Sequence, residues 1–157
     1  MIKPTYNITI SPFQPQDQEE AKDLVLAGMV EHWGFLNPTL NPDLNDIAAS
    51  YKEGLFLVAK QEGKIVGTGA LLPRSETSAE IVRMSVASML RRSGLGSAML
   101  QRLCEYAKLK GYRQLVLETT STWQEVIGFY LKFGFQITHH QDGETHFVLN
   151  LEYSGRT

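Results

Sequence analysis

Cysteine is nearly absent from this chain of 157 residues. Cys104 stands alone, so no internal disulfide can form and no second thiol is at hand for a zinc site; no metal is expected. Charge of one sign is lacking too. The 15 Lys and Arg against 17 Asp and Glu leave a net charge of −2, which argues against nucleic acid as the main partner. No apolar run approaches the length of a membrane span, and the opening stretch MIKPTYNITI lacks an apolar signal core. A cytoplasmic protein with no membrane partner is therefore expected. Internal repeats, low-complexity stretches and composition breaks are missing as well. With 43% hydrophobic residues, residues 1–157 are expected to form one domain burying roughly two thirds of its surface.

What the chain does have is an ordered stretch from Glu80 to Leu103, EIVRMSVASMLRRSGLGSAMLQRL. Val82, Met84 and Val86 alternate with Ile81, Arg83 and Ser85 in the two-residue period of a strand. Leu95, Met99, Leu103 and Ala107 then recur at the spacing of an amphipathic helix. Between them lies Arg91-Arg92-Ser93-Gly94-Leu95-Gly96-Ser97. A helix start carries unpaired N–H groups and a partial positive charge, and two glycines let a ligand lie against that backbone, so an anion such as phosphate fits there.

Known phosphate loops match unequally. Gly94 and Gly96 satisfy part of Gly-x-Gly-x-x-Gly, and Glu118 imitates the ribose-binding acid of a dinucleotide site, but Met99 stands where the third glycine belongs. The nucleotide-hydrolase loop fails, because no Lys-Ser/Thr pair follows Gly96.

Along the chain, Tyr6 to Ser11 alternates as a first strand, ended by Pro12 and Pro15. Asp17-x-x-Glu20 has the spacing of a capping box for a helix reaching about His32, with Ala21, Leu24, Val25 and Gly28 on one face. Gly34 to Asn41 reads as a loop. Asn41 and Pro42 open a second helix, with Leu44, Ile47, Ala48 and Tyr51 as its stripe and Gly54 as its stop. Leu55 to Gln61 and Lys64 to Pro73 make a hairpin about Glu62-Gly63, in which Gly67 and Gly69 either weaken the strand or admit something close to its backbone. After the strand Ala79 to Ala87 and the helix Gly94 to Lys110 come a strand at Gln114 to Thr119 and a helix at Trp123 to Phe133 closed by Gly134. Two strands follow, Phe135 to Thr138 and Thr145 to Leu151, turning through Gln141 to Glu144. The predicted order, β-α-α-β-β-β-α-β-α-β-β, is an α/β fold with a mixed sheet and helices on both faces.

With Arg91, Gly94 and Gly96 in an Arg-x-x-Gly-x-Gly pattern, the chain resembles the GNAT superfamily of acyl-CoA N-acyltransferases, and its element order is that of the GNAT fold. The segment Gly128-Phe-Tyr-Leu-Lys-Phe-Gly-Phe135 adds to the likeness. Trp123 and Val126 depart from it, standing where the family often has asparagine and alanine. The resemblance implies an N-acetyltransferase that uses acetyl-CoA (coenzyme A) and a primary amine, on a small molecule or a peptide, by direct attack in a ternary complex. It implies that Arg91, Arg92, Ser93, Gly94, Leu95, Gly96 and Ser97 hold the diphosphate, that a backbone N–H near Val86 faces the thioester oxygen, and that Tyr130 reaches the sulfur. Glu80 on the central strand is the first choice of base, unless it merely faces water or pairs with Arg83. Trp33, Phe35 and Trp123 lie where the acceptor groove should be, although aromatics near loops are as often core. A homodimer through the last strands is implied as well. His32 and His146 read as surface or core histidines, and His139 and His140 as exposed ones. A non-catalytic acyl-CoA sensor of the same fold and a nucleotide-dependent oxidoreductase are the competing function classes.

Overall fold

The two tight turns marked by Gly63 and Gly143 are the ones the backbone makes. Glu62 and Gly63 have φ of 53° and 81°, Asp142 and Gly143 have 54° and 80°, the paired left-handed residues that a two-residue hairpin requires. The structure, a computed structural model, describes residues 7–34 and 41–151, apart from the side chains of residues 32 and 33. Its strands are β1 (Ile8–Pro12), β2 (Leu55–Gln61), β3 (Lys64–Pro73), β4 (Ser78–Val86), β5 (Gln114–Thr120), β6 (Gln136–Gln141) and β7 (Glu144–Asn150). Its α-helices are α1 (Gln18–Trp33), α2 (Ile47–Ser50), α3 (Leu95–Leu109) and α4 (Gln124–Phe133). The strands form one mixed sheet in the order β1-β2-β3-β4-β5-β7-β6, with β4 and β5 parallel as the strand-helix-strand reading expects. The chain forms two compact units: Met1–Leu72 with Val82–Arg102, and Pro73–Ile81 with Leu103–Thr157.

In the first unit, Ala21 and Val25 of α1 meet Leu44, Ile47, Tyr51, Phe56, Val58, Ile65 and Ala70 in one apolar cluster. The predicted capping box does not form. Asp17 is buried instead, accepting from the Gln14 N–H at 2.9 Å and pairing with Lys60 at 2.8 Å, while Glu20 accepts from the Ile65 N–H. The second predicted helix is broken into a 3-10 turn, Pro42–Asn45, and the short α2. A side chain from another element causes the break: the Gln18 amide donates to the Leu44 carbonyl at 2.7 Å and accepts from the Ile47 N–H at 2.9 Å, satisfying backbone that a continuous helix would have paired internally. Gly67 admits a close neighbour. A Cβ there would lie 3.0 Å from Met99 Sδ and 3.2 Å from Leu95 Cδ2, so the first turns of α3 pack directly on β3.

In the second unit, β5 presents Leu115, Leu117 and Thr119 to a buried face and Gln114, Val116, Glu118 and Thr120 to the other, which is open to solvent or only partly covered. β7 pairs antiparallel with β5 along its whole length and alternates in step, burying Thr145 and Phe147. Tyr130 of α4 closes this core with its ring 5.6 Å from Phe135 and 5.7 Å from Phe147. Cys104 is buried, and burial pushes its thiol up to about 11, as suits a packing residue rather than a nucleophile. No helix among the described residues is long and apolar enough to cross a membrane.

Candidate functional site

The loop before α3 is built on left-handed backbone. Ser88–Leu90 form a 3-10 turn, Arg91 is extended at φ −65° and ψ 145°, and Arg92 and Gly94 have φ of 64° and 94°. α3 then starts at Leu95, and its first internal bond runs from the Ala98 N–H to the Gly94 carbonyl at 3.0 Å. The Leu95 N–H finds Ser93 Oγ at 3.4 Å; those of Gly96 and Ser97 have no acceptor among the described residues. These donors, at the positive end of a fifteen-residue helix, suit an anionic ligand. Arg91 is tied down beside them. Its guanidinium makes a two-pronged bond to Glu31 of α1 at 2.6 and 3.0 Å and donates from Nε to the Val86 carbonyl at 3.3 Å. The resemblance gives Arg91 a phosphate contact; in this structure its guanidinium braces the loop against α1.

A left-handed residue interrupts β4 three residues before Val86. Arg83, not Val86, has the left-handed φ, 57°, a conformation that costs roughly 1–2 kcal/mol outside glycine. The surroundings hold it there. Its side chain bonds Asp43 at 2.6 and 3.0 Å and Asn41 at 3.1 Å, and its carbonyl accepts from Thr68 Oγ1 at 2.8 Å. Tyr51 donates to the same Asp43 at 2.7 Å. Burial alone would raise the Asp43 carboxyl; the bonds from Arg83 and Tyr51 outweigh it and hold the group below the usual range. Arg83 is therefore not the partner of Glu80.

Glu80 pairs instead with Arg74, from the turn between β3 and β4. Only 8% exposed, its carboxyl is raised above the ordinary value by burial, which Arg74 opposes and Glu118 reinforces. Glu80 lies in register with Val116 and lines a cavity of about 480 Å³ on the face of the second unit that carries Val116 and Glu118. Arg74, Glu118, His139 and His146 share the lining. Glu118 and His146, directly opposite each other on β5 and β7, pair at 3.3 Å. His139 of β6 stacks on His146 with ring centroids 4.2 Å apart. The sequence reading missed this group, taking Glu118 as a dinucleotide mimic and the histidines as incidental; the signal available was the in-step alternation of β5 and β7 alone.

Tyr130 is 6% exposed, and burial lifts its phenol above the ordinary tyrosine value. Trp123 is partly buried at the start of α4. Phe35 and the side chain of Trp33 lie outside the described residues. Among the described residues, no three His, Cys, Asp or Glu side chains gather as metal ligands.

Residues 5–135 match the family model described as "Acetyltransferase (GNAT) family". N-acetyltransferase family 8 member 2 of Rattus norvegicus is 35% identical over 113 residues, 68% of this chain and 50% of the relative. Probable N-acetyltransferase 14 of Xenopus tropicalis is 33% identical over 102 residues, 62% of this chain and 50% of the relative. The chain thus spans about half the length of the curated relatives it matches. Among solved structures, a GNAT-family acetyltransferase from Staphylococcus aureus Mu50 superposes with a TM-score of 0.86 at 20% identity, covering 92% of this chain and 99% of the other. A GNAT-family acetyltransferase from Elizabethkingia anophelis with acetyl-CoA bound superposes with a TM-score of 0.68 at 23% identity, covering 93% and 99%.

Proposed function

Because the chain belongs to the acetyltransferase (GNAT) family, we propose that it is an acyl-CoA-dependent N-acetyltransferase, moving an acetyl group from acetyl-CoA to the primary amine of a small molecule or peptide by direct attack in a ternary complex. One observation carries the reading: the Gly96 and Ser97 N–H groups have no acceptor among the described residues and stand behind the left-handed residues Arg92 and Gly94, at the start of α3. A diphosphate matches that donor set.

When bound, acetyl-CoA supplies the activated thioester; the chain positions it and handles protons. The backbone from Ser93 to Ser97, with Arg92 beside it and Arg91 as brace, holds the diphosphate, which is positioning rather than chemistry. The Val86 N–H on β4, beyond the left-handed Arg83, serves as the donor to the thioester oxygen. An amine of pKa about 10 arrives protonated at neutral pH, and Glu80 collects a proton from it. The raised proton affinity of Glu80 suits a base better than an exposed carboxylate would. Tyr130 hydrogen-bonds the departing sulfur. Its phenol starts as a weaker acid than a thiol, and burial widens the gap, so full proton transfer is uphill by more than roughly 2 kcal/mol. Trp123 contacts the acceptor. A cytoplasmic location and a homodimer complete the reading, and β6, an edge strand exposed at every residue, is the surface available for self-pairing.

The test is calorimetric titration with coenzyme A, followed by thiol release from acetyl-CoA across a panel of primary amines. Binding with amine-dependent release is the expected result. Failure to bind coenzyme A would overturn the reading, and binding without release for every amine would favour the acyl-CoA sensor.

A further inference from the structure

The most chemically loaded place outside the helix-start loop is the 480 Å³ cavity on the second unit, and β6 is irregular where it borders it. Ile137 pairs with Phe147, yet the next pair is His139 with His146, so Thr138 is an extra residue with no counterpart on β7. Regular pairing would put Thr138 opposite His146. The bulge puts His139 there, and bulges of this kind re-aim side chains beside functional sites. Thr138 Oγ1 then donates to the His146 carbonyl at 3.3 Å and bonds His139 Nδ1 at 2.8 Å, fixing the ring that stacks on His146. Glu118 on the other side takes His146 Nδ1 at 3.3 Å. The His146 imidazole is thus flanked by Glu118 of β5 and the His139 ring of β6, and Thr138 ties the His146 carbonyl to that ring.

Charge and shape select what fits. Arg74 and Glu80 offset each other, and Glu118 leaves one net negative charge when both imidazoles are neutral. One Glu118 oxygen lies 3.3 Å from His146 Nδ1, which leaves the second Glu118 oxygen, and Nε2 of an Nδ1–H ring, as acceptors. Val116 and Val148 supply an apolar stretch of the lining.

We propose that this cavity is the acceptor subsite and that it takes a monocationic primary amine with an apolar body, its ammonium anchored by Glu118 and His146 with His139 as the backing ring. This rests on the transferase reading for its place in a reaction, and on the cavity alone for its ligand. Glu118 and His146 are specificity residues here, while proton removal stays with Glu80.

The experiment is histidine ring-proton NMR of the full chain titrated with 2-phenylethylamine, 2-phenylethanol and 3-phenylpropanoate, without coenzyme A. The expected result is saturable movement of the His139 and His146 signals by the amine alone, with affinity falling roughly tenfold in Glu118→Gln and in His146→Gln, the effect of losing one charged hydrogen bond. Equal response to the alcohol, no response to the amine, or unchanged affinity in both variants would overturn the proposal. Coenzyme A titration of the parent chain separates the two ideas: no amine binding with coenzyme A binding intact fails this subsite alone, and amine binding in a chain that ignores coenzyme A fails the transferase reading alone. In turnover assays the same variants are expected to raise the amine KM with kcat little changed, a split that a merely structural role would not produce.

Discussion

Gly94→Ala isolates the backbone at the start of α3. A Cβ at Gly94 meets nothing within 4 Å, so the substitution introduces no clash, and the whole effect comes from forcing an L residue to φ +94°. That conformation costs roughly 1–2 kcal/mol, which for a domain of this size lowers Tm by about 2–8 °C. If the loop relaxes instead, the donors that follow turn away from the diphosphate, and each charged hydrogen bond lost is about 1.5–3 kcal/mol, or roughly ten- to a hundredfold in Kd. Gly111, just past the end of the same helix, provides the control. It has φ +92° and equally open space around a Cβ, so Gly111→Ala carries the same strain without touching the donors. Differential scanning calorimetry and coenzyme A titration of both variants are the assays. Similar losses of Tm with weakened coenzyme A binding in Gly94→Ala only is the expected outcome. Equal binding losses in both variants, or a Gly94→Ala affinity within twofold of the parent, would refute the reasoning.

Glu80 must be ionised to act as a base, and burial raises its carboxyl, so the acid limb of the kcat/KM profile should lie above that of an exposed glutamate. Arg74→Gln removes the cation that opposes this rise and should move the limb to still higher pH; Glu80→Gln should abolish it, and a limb that stays in place in both variants would remove Glu80 from the reaction. The stability sign is the same: a folded-state value above the unfolded one gives stability present at acid pH and lost as pH rises through the folded value. Tyr130→Phe keeps the ring contacts with Phe135 and Phe147, so Tm should hold while kcat falls by less than the roughly 10⁴-fold ceiling of general acid catalysis; an unchanged kcat would show the hydroxyl idle. Asp43→Asn weakens the bonds that hold Arg83 left-handed and should lower stability by about 1–3 kcal/mol at neutral pH, by urea unfolding. Because Asp43 is held below its usual value, the parent should lose this advantage as pH falls below about 4, so variant and parent should converge there; a gap that persists in acid would point to packing instead.

The break between Asn41 and Gly54 shows where reading along the chain stops working. Pro42 and the apolar stripe are compatible with a continuous helix; Gln18, twenty-nine residues before Ile47, together with the Asp46 side chain that caps Ala49, turns that stretch into two short pieces. Asp17 looked like a cap because Glu20 follows at the right spacing, but Lys60 and the Ile65 N–H, brought near by the sheet, compete for the two carboxylates and win. Conversely, the strand boundaries around Glu62-Gly63 and Gln141 to Glu144 were legible to within a few residues, since the turn chemistry is local.

The sequence by itself determined the strands, the helices α1, α3 and α4, their order and the helix-start loop, because turn glycines, strand alternation and helical spacing act over a few residues and need no partner from elsewhere. Tertiary structure alone decided which charges meet. Arg83 went to Asp43 and Glu80 to Arg74, Arg91 was drawn to Glu31, Glu118 met His146 across the β5–β7 register, and a shift of one residue at Thr138 brought His139 to them. A strand's partner, and the bulge that sets its register, depend on packing summed over the whole sheet, and no short window of residues carries that sum.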